Sequence, residues 1–155
     1  MVPAESDTAR GSLSGWFEGT RHVLPVRVYY EDTDAAGIVY HANYLRFAER
    51  ARTEMMRCLG TEHRQLMIET GTAFAVRSCD TEFMLPARLD DPLTVQTRVE
   101  EVRGASLRMT QTVMGDGGTE LVRMRIRLAC IDAALRPARL PGAVRAELAR
   151  LVENQ

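Results

Sequence analysis

The hydrophobic period of this sequence changes once along the chain, and that change limits the folds open to it. Residues 42–59 carry apolar side chains at three- and four-residue spacing, which is typical of one buried face of an α-helix. From Phe74 onward the period is two, which is typical of half-buried strands. One long helix followed by a run of adjacent strands predicts an α+β domain in which an antiparallel sheet wraps the helix.

The remaining elements follow from the same patterns. Strands are predicted at Val23–Tyr30, Phe74–Leu85, Leu93–Val102, Ser106–Met114 and Glu120–Asp132. Shorter helices are predicted near residues 62–69 and 142–152, the first ending at Gly71. Residues 1–21 lack periodicity, so we expect a flexible N-terminal tail before a single domain at residues 22–155.

Composition excludes several classes of protein. A net charge of -1 gives no overall field for nucleic acid or an anionic membrane. No apolar run approaches the roughly 20 residues that a membrane span needs, and the N-terminus does not resemble a signal peptide. Cys58, Cys79 and Cys130 are far apart, which argues against a disulfide framework or a zinc site. We therefore expect a cytoplasmic protein without metal or redox cofactor.

The segment EDTDAAGIVYHANY, residues 31–44, carries the candidate chemistry. It places Asp32 and Asp34 ahead of the helix, with Gly37 and His41 between them and its first turn. A helix N-terminus offers unpaired N–H groups that can hold a developing oxyanion. An aspartate close to it can attack a carbonyl or deprotonate water, and a glycine lets a ligand approach the backbone closely. The pattern favours acyl transfer.

Other interpretations of the same residues stay open. Asp and Asn ahead of a helix most often cap it, and Asn43 is the better cap candidate because Asp34 precedes the helical stripe by too many residues. A lone histidine such as His41 is most often a packing or hydrogen-bonding residue. Asp32, Asp34 and His41 together could bind a metal ion, although no further ligand cluster supports them.

These residues resemble a known family. The entry strand, loop and helix look like those of the YbgC-like acyl-CoA thioesterases, in the 4-hydroxybenzoyl-CoA thioesterase branch of the hotdog superfamily. The match is carried by YEDTD at residues 30–34, Gly37, VYHANY at residues 39–44 and ERARTE at residues 49–54. It spans residues 23–141, and Ala35-Ala36-Gly37 replaces the frequent Ala-Gly-Gly of the family.

The resemblance implies a hotdog fold, a curved antiparallel sheet wrapped around one long central helix. It also implies homodimers or homotetramers with active sites at the subunit interface. Asp34 is then the catalytic residue, as nucleophile or as general base for water. His41 offers its backbone N–H to the thioester oxygen, and its imidazole contacts the thioester or water. Tyr40, Asn43 and Tyr44 shape the pocket and hold the loop, and Gly37 lets substrate approach.

The substrate also follows from the resemblance. Coenzyme A carries phosphates, and by position Arg103 and Ser106 are expected to contact them. The acyl pocket is expected between the helix stripe and the strand at Phe74–Phe83. The implied activity is hydrolysis of short-chain or hydroxylated acyl-CoA thioesters, with acyl carrier protein thioesters as further substrates of some members. The alternatives are an aromatic thioesterase acting on substrates like 4-hydroxybenzoyl-CoA, and a non-catalytic hotdog protein that binds acyl-CoA or acyl carrier protein.

Overall fold

The long helix α1 (Asn43–Cys58) packs its apolar stripe against one antiparallel sheet. The computed structural model describes residues 13–152. Within them the strands are β1 (Trp16–Glu18), β2 (Arg21–Arg27), β3 (Ala73–Phe83), β4 (Pro92–Val102), β5 (Ser106–Met114) and β6 (Glu120–Ile131). Two shorter α-helices, α2 (His63–Thr70) and α3 (Gly142–Val152), and two 3₁₀ turns at Tyr30–Asp32 and Asp116–Gly118 complete the described chain. None of the helices in residues 13–152 is long and apolar enough to cross a membrane.

The sheet has the strand order β1-β2-β4-β5-β6-β3, and all neighbouring strands are antiparallel. Its register shifts within three pairs, at Val76/Ser78, Val99/Glu101 and Val113/Met114. Bulges of this kind bend a strand and increase its twist, so they let the sheet curve around α1. Together with the solved structures of similar fold described below, this arrangement confirms the α+β hotdog fold predicted from the sequence.

The core lies between α1 and the inward face of the sheet. Four residues of the stripe are fully buried, namely Phe47, Ala48, Ala51 and Met55. Strands β5 and β6 contribute alternate residues to the same core, and most of the positions between them are polar or charged. This is the alternation that the sequence predicts, and it explains why the predicted strand bounds agree with the structure to within a few residues.

A short hairpin at the N-terminal end was missed by the sequence analysis. Strand β1 pairs with β2 from Trp16 opposite Val23 to Glu18 opposite Arg21, inside the segment predicted as a flexible tail. Gly15 has φ +72°, and a Cβ there would lie 2.1 Å from the Val23 carbonyl oxygen, so this position requires glycine. The remainder of the predicted tail, residues 1–12, lies outside the described residues.

His22 on β2 makes this hairpin sensitive to pH. Its side chain is fully buried, and Nε2 donates to the Ser14 carbonyl at 2.7 Å. Nδ1 has no hydrogen-bond partner among residues 13–152. Burial lowers the pKa of His22, and the bond to Ser14 and the charge of Glu54 act in the opposite direction. The neutral form is therefore the one that the folded protein holds.

We expect the protein to lose stability as the pH falls below about 6.5, the pKa of an unfolded histidine. The unfolded chain then binds a proton that folded His22 excludes, which costs at most about 1.4 kcal/mol per pH unit. Thermal melting at pH 7.5 and 5.5 measures the effect. His22→Gln should show a smaller pH dependence than the wild type. The pKa of His63 is also lowered, so His63→Gln measures how much of the pH dependence comes from that residue instead. An unchanged pH dependence in His22→Gln would contradict the assignment to His22.

Candidate active site

The carboxylate of Asp32 joins the end of β2 to the start of α1. Its side chain is 3% exposed. One oxygen accepts the backbone N–H of Tyr29 at 2.8 Å, and the other accepts the Asn43 side-chain amide at 2.6 Å. Its carbonyl oxygen accepts the N–H of Tyr40. Asp32 thus fixes the loop between residues 33 and 42 at both ends.

Asn43 does not cap α1 as the sequence analysis predicted. It is the first residue of the helix, and the capping position is Ala42, which makes no side-chain cap hydrogen bond. The Asn43 amide instead donates across eleven residues to Asp32. A buried carboxylate depends on protein donors, whereas the N–H groups of a helix terminus open to water can bond to water. This explains why the Asn43 amide bonds to Asp32 instead of capping the helix.

Asp34 lies at the exposed turn of this loop. One carboxylate oxygen accepts the Ala36 N–H at 2.8 Å, and the Asp34 carbonyl accepts the Gly37 N–H at 3.0 Å. Gly37 has φ +77°, so the reversal of the chain after Asp34 depends on the freedom of glycine there. The other oxygen of the carboxylate makes no hydrogen bond within residues 13–152 and is available to a ligand.

His41 and Tyr40 form the other side of this exposed surface. Their ring centroids are 4.6 Å apart, and the His41 ring meets the edge of Phe83 on β3 at 6.2 Å. No hydrogen bond among residues 13–152 engages the backbone N–H of His41, which stands ahead of the first turn of α1. The structure therefore brings Asp34, Gly37, Tyr40 and His41 into one loop with an uncommitted backbone donor.

Tyr44 supports this surface from below. It is 3% exposed, its hydroxyl accepts the Ala87 N–H at 3.0 Å, and its ring lies 5.9 Å from that of Phe83. Burial raises the pKa of Tyr44, and the bond to Ala87 opposes that rise. The phenol therefore stays protonated and acts as a packing residue that also anchors the segment at Ala87.

An apolar cavity of about 430 Å³ opens between α1 and the sheet. Leu45, one turn beyond His41, is the first residue of α1 in its lining, and the lining includes the face of α1 beside the buried stripe. Its lining residues are Leu45, Arg46, Glu49, Arg52, Thr53, Met56, His63, Phe74, Val76, Cys79, Leu107, Met109, Ile126 and Leu128. The cavity lies between the helix and the Phe74–Phe83 strand, where the acyl pocket was predicted.

Arg103 and Ser106 are brought together, but far from Asp34. They join through a backbone hydrogen bond of 2.8 Å and line a small depression of about 110 Å³. Arg103 also pairs with Glu101 at 2.6 Å, and the pairing lowers the pKa of Glu101. On β6, Ser106 pairs with Ala129 and Phe83 pairs with Val122. These partners are seven residues apart, which is roughly 24 Å along a strand. Within one chain, Arg103 and Ser106 therefore lie at the opposite end of the sheet from Phe83, the residue of β3 that contacts His41.

Asp32, Asp34 and His41, the three residues of the metal-binding interpretation, do not form a ligand cluster in this structure. Among residues 13–152 no three His, Cys, Asp or Glu side chains gather as a metal site requires. Asp32, moreover, has committed its oxygens to Tyr29 and Asn43. Its structural role carried no signal in the sequence, because the residue that pairs with it lies eleven positions away.

Comparison with known proteins decides the family. Residues 28–148 match the model of the thioesterase-like superfamily. The acyl-CoA thioester hydrolase YbgC of Escherichia coli O6:H1 is 47% identical over 124 residues, which cover 79% of this chain and 92% of that protein. The chain belongs to the thioesterase-like superfamily, among its YbgC members.

Solved structures agree with this membership. A probable thioesterase from Bartonella henselae is 36% identical and superposes with a TM-score of 0.74, covering 78% of this chain and 99% of the other. The protein SAV2348 from Staphylococcus aureus, solved in complex with CoA, has a TM-score of 0.82 over 91% of this chain and 89% of the other. Its 15% identity supports the fold alone. The YbgC-like resemblance and the expectation of a thioester hydrolase are confirmed.

In this YbgC member the Asp32–Asn43 bond should be essential to the loop. We expect Asn43→Ala to destabilise the protein by roughly 2–4 kcal/mol, because it leaves a buried carboxylate with one donor fewer. Urea denaturation measures the loss. Asp34→Ala is the matched control, since that carboxylate is exposed and its one hydrogen bond among residues 13–152 is to the Ala36 N–H. Equal stabilities for Asn43→Ala and the wild type would contradict the role given to Asp32.

Proposed function

We propose that this protein is an acyl-CoA thioesterase in which Asp34 performs the chemistry. The observation that carries the proposal is the loop at residues 33–42, which holds both the exposed carboxylate of Asp34 and the unengaged backbone N–H of His41 ahead of α1. A carboxylate and a pre-aimed donor are the two groups that hydrolysis of a thioester requires. The identity to the Escherichia coli enzyme supports the reaction.

The reaction begins with attack on the thioester carbon. Asp34 either attacks directly, forming a mixed anhydride that water then hydrolyses, or removes a proton from the attacking water. The carbonyl electrons move to oxygen, and the N–H of His41 stabilises that charge together with the partial positive charge of the helix terminus. Collapse of the resulting tetrahedral intermediate breaks the carbon–sulfur bond, and the departing thiolate of coenzyme A takes a proton. Fixed by Asp32, the loop holds these groups in place during the reaction.

The active form is proposed to be a homodimer or a higher homo-oligomer. Strand β3 is an edge of the sheet, and its inward-facing Val76 and Phe83 remain 53% exposed because α1 does not cover them. Exposed apolar edges of this kind are covered in native proteins. Antiparallel pairing of two β3 strands would bring the Ala73 end of one copy to the Phe83 end of the other. Arg103 and Ser106 of one chain would then lie on the side of Asp34 of its neighbour, where they could hold coenzyme A phosphates.

Within this class we propose an acyl-CoA as the substrate and the cytoplasm as the location. All three cysteines are free thiols, which agrees with a reducing compartment. The Tyr40, Asn43 and Tyr44 side chains are proposed to shape and hold the loop, and Gly37 to let the thioester approach it.

Replacement of the proposed catalytic carboxylate tests the chemistry. We expect Asp34→Asn to lower kcat by about 10²- to 10⁴-fold, because it removes the general base or nucleophile and keeps the shape of the side chain. Release of free thiol from a panel of straight-chain, hydroxylated and aromatic acyl-CoA thioesters measures the rate. Glu31→Gln removes a neighbouring exposed carboxylate and should leave the rate unchanged. A wild-type protein that releases no coenzyme A would refute the enzyme, and an Asp34→Asn variant of full rate would refute only the residue.

The proposed homo-oligomer is tested by measuring the size of the protein in solution. Sedimentation velocity of the wild type should give a dimer or a larger species at micromolar concentration. Leu85, 50% exposed just beyond β3, extends the apolar edge, so Leu85→Glu should shift the protein toward monomer by placing a charge there. Leu135→Glu changes a more exposed leucine in a turn after β6 and should leave the assembly unaltered. A monomeric wild type would exclude the shared site.

A further inference from the structure

We propose that the cavity between α1 and the sheet binds an acyl group whose far end carries a carboxylate, and that Arg52 recognises it. The preferred substrates would then be mono-CoA thioesters of dicarboxylic acids. This inference rests on the proposed thioesterase function and specifies the substrate of that site.

The guanidinium of Arg52 is fixed in the cavity wall by the core. Its Nη1 donates to the Gln111 Oε1 at 2.9 Å, and Gln111 is fully buried on β5. The Gln111 amide nitrogen in turn donates to the Ala48 carbonyl and the Thr97 hydroxyl, both at 2.9 Å. Because the Gln111 amide is held by two further bonds, its bond to Arg52 favours one position of the guanidinium before any ligand arrives.

Arg52 retains donors for a ligand. A guanidinium has five N–H groups, and its bond to Gln111 is the single hydrogen bond that it forms among residues 13–152. Burial lowers the pKa of Arg52, and Glu49 opposes this without approaching to ion-pair distance. Most of the surrounding lining is apolar, and a charge-assisted pair is strengthened in such surroundings.

The charged groups of the cavity favour an anion. Arg46 is a second cation of the lining, and Glu49 is its single acidic residue. Burial lowers the pKa of His63, and the charges of Arg52 and Arg57 lower it further. His63 is therefore neutral near pH 7, and two cations face one anion. A carboxylate would balance the lining and could accept two parallel bonds from the guanidinium.

The position of Arg52 sets the length of the acyl chain. It lies eleven residues beyond His41 along the helix, which corresponds to roughly 16 Å. Leu45, four residues beyond His41 on α1, lines the cavity together with Arg52 and Phe74. An acyl chain whose thioester lies at Asp34 and His41 would therefore enter at Leu45 and direct its far end toward Arg52. Medium-length diacids fit this path, whereas very short acyl groups end before the guanidinium.

Matched pairs of substrates test the assignment. The ratio of kcat/KM for adipoyl-CoA over hexanoyl-CoA, and for suberoyl-CoA over octanoyl-CoA, isolates the far carboxylate from chain length. We expect the wild type to prefer the carboxylate in at least one pair. Arg52→Met should lower that ratio by about tenfold to hundredfold, the size of a hydrogen bond to a charged group. Arg52→Lys should retain part of the preference, because it keeps the charge and loses the fork.

Control measurements separate this inference from the proposed function. Arg50→Met removes a charge from the same helix, where the guanidinium stacks over Phe47 at 5.9 Å outside the cavity, and should leave the ratio unchanged. Calorimetric binding of adipoyl-CoA and hexanoyl-CoA to Asp34→Asn, with and without Arg52→Met, tests recognition without turnover. Thermal melting confirms that each variant is folded. A wild type that prefers hexanoyl and octanoyl thioesters, or a ratio insensitive to Arg52, overturns the inference even when hydrolysis itself is established.

Discussion

The buried carboxylate of Asp32 is the contact on which the arrangement of the site depends. It accepts a backbone N–H from the end of β2 and a side-chain amide from the first residue of α1. A loop closed at both ends by one residue has few conformations left, so the turn that presents Asp34 is held without being buried itself. The cost of burying the charge is offset because its donors come from elements that the core already fixes.

Most of the fold could be predicted because it follows from two periodicities. The spacing at Phe47, Ala51 and Met55 requires a helix with one buried face, and the alternation along β6 requires a sheet with one buried face. Strand β1 could not be predicted in this way. It has three residues, and its conformation depends on pairing with β2 and on the backbone freedom of Gly15 rather than on any pattern of its own.

The residues proposed for the site share one short stretch of sequence, whereas their geometry does not follow from that stretch. The motif at residues 30–44 correctly indicated which side chains share a loop, because that proximity is local. The bond between Asp32 and Asn43 depends on how the loop closes, so the sequence suggested a helix cap instead. The separation of Arg103 and Ser106 from Asp34 depends on strand register, which no single-chain motif records. Arg52 was within the motif, and its contact with Gln111 became visible only in the fold.

The amide of Gln111 has a mechanical consequence for the molecule. It bonds to the backbone of α1, to a neighbouring strand and to an arginine of the same helix. A slide or rotation of α1 by one residue would break the bonds of Gln111 to Ala48 and Arg52, while the bond to Thr97 would hold the amide on the sheet. These bonds fix the position of α1 along the sheet, so the distance from His41 to the cavity cannot adjust to the ligand. If the proposed recognition holds, a cavity fixed in this way would select acyl groups by a set length rather than by closing around them.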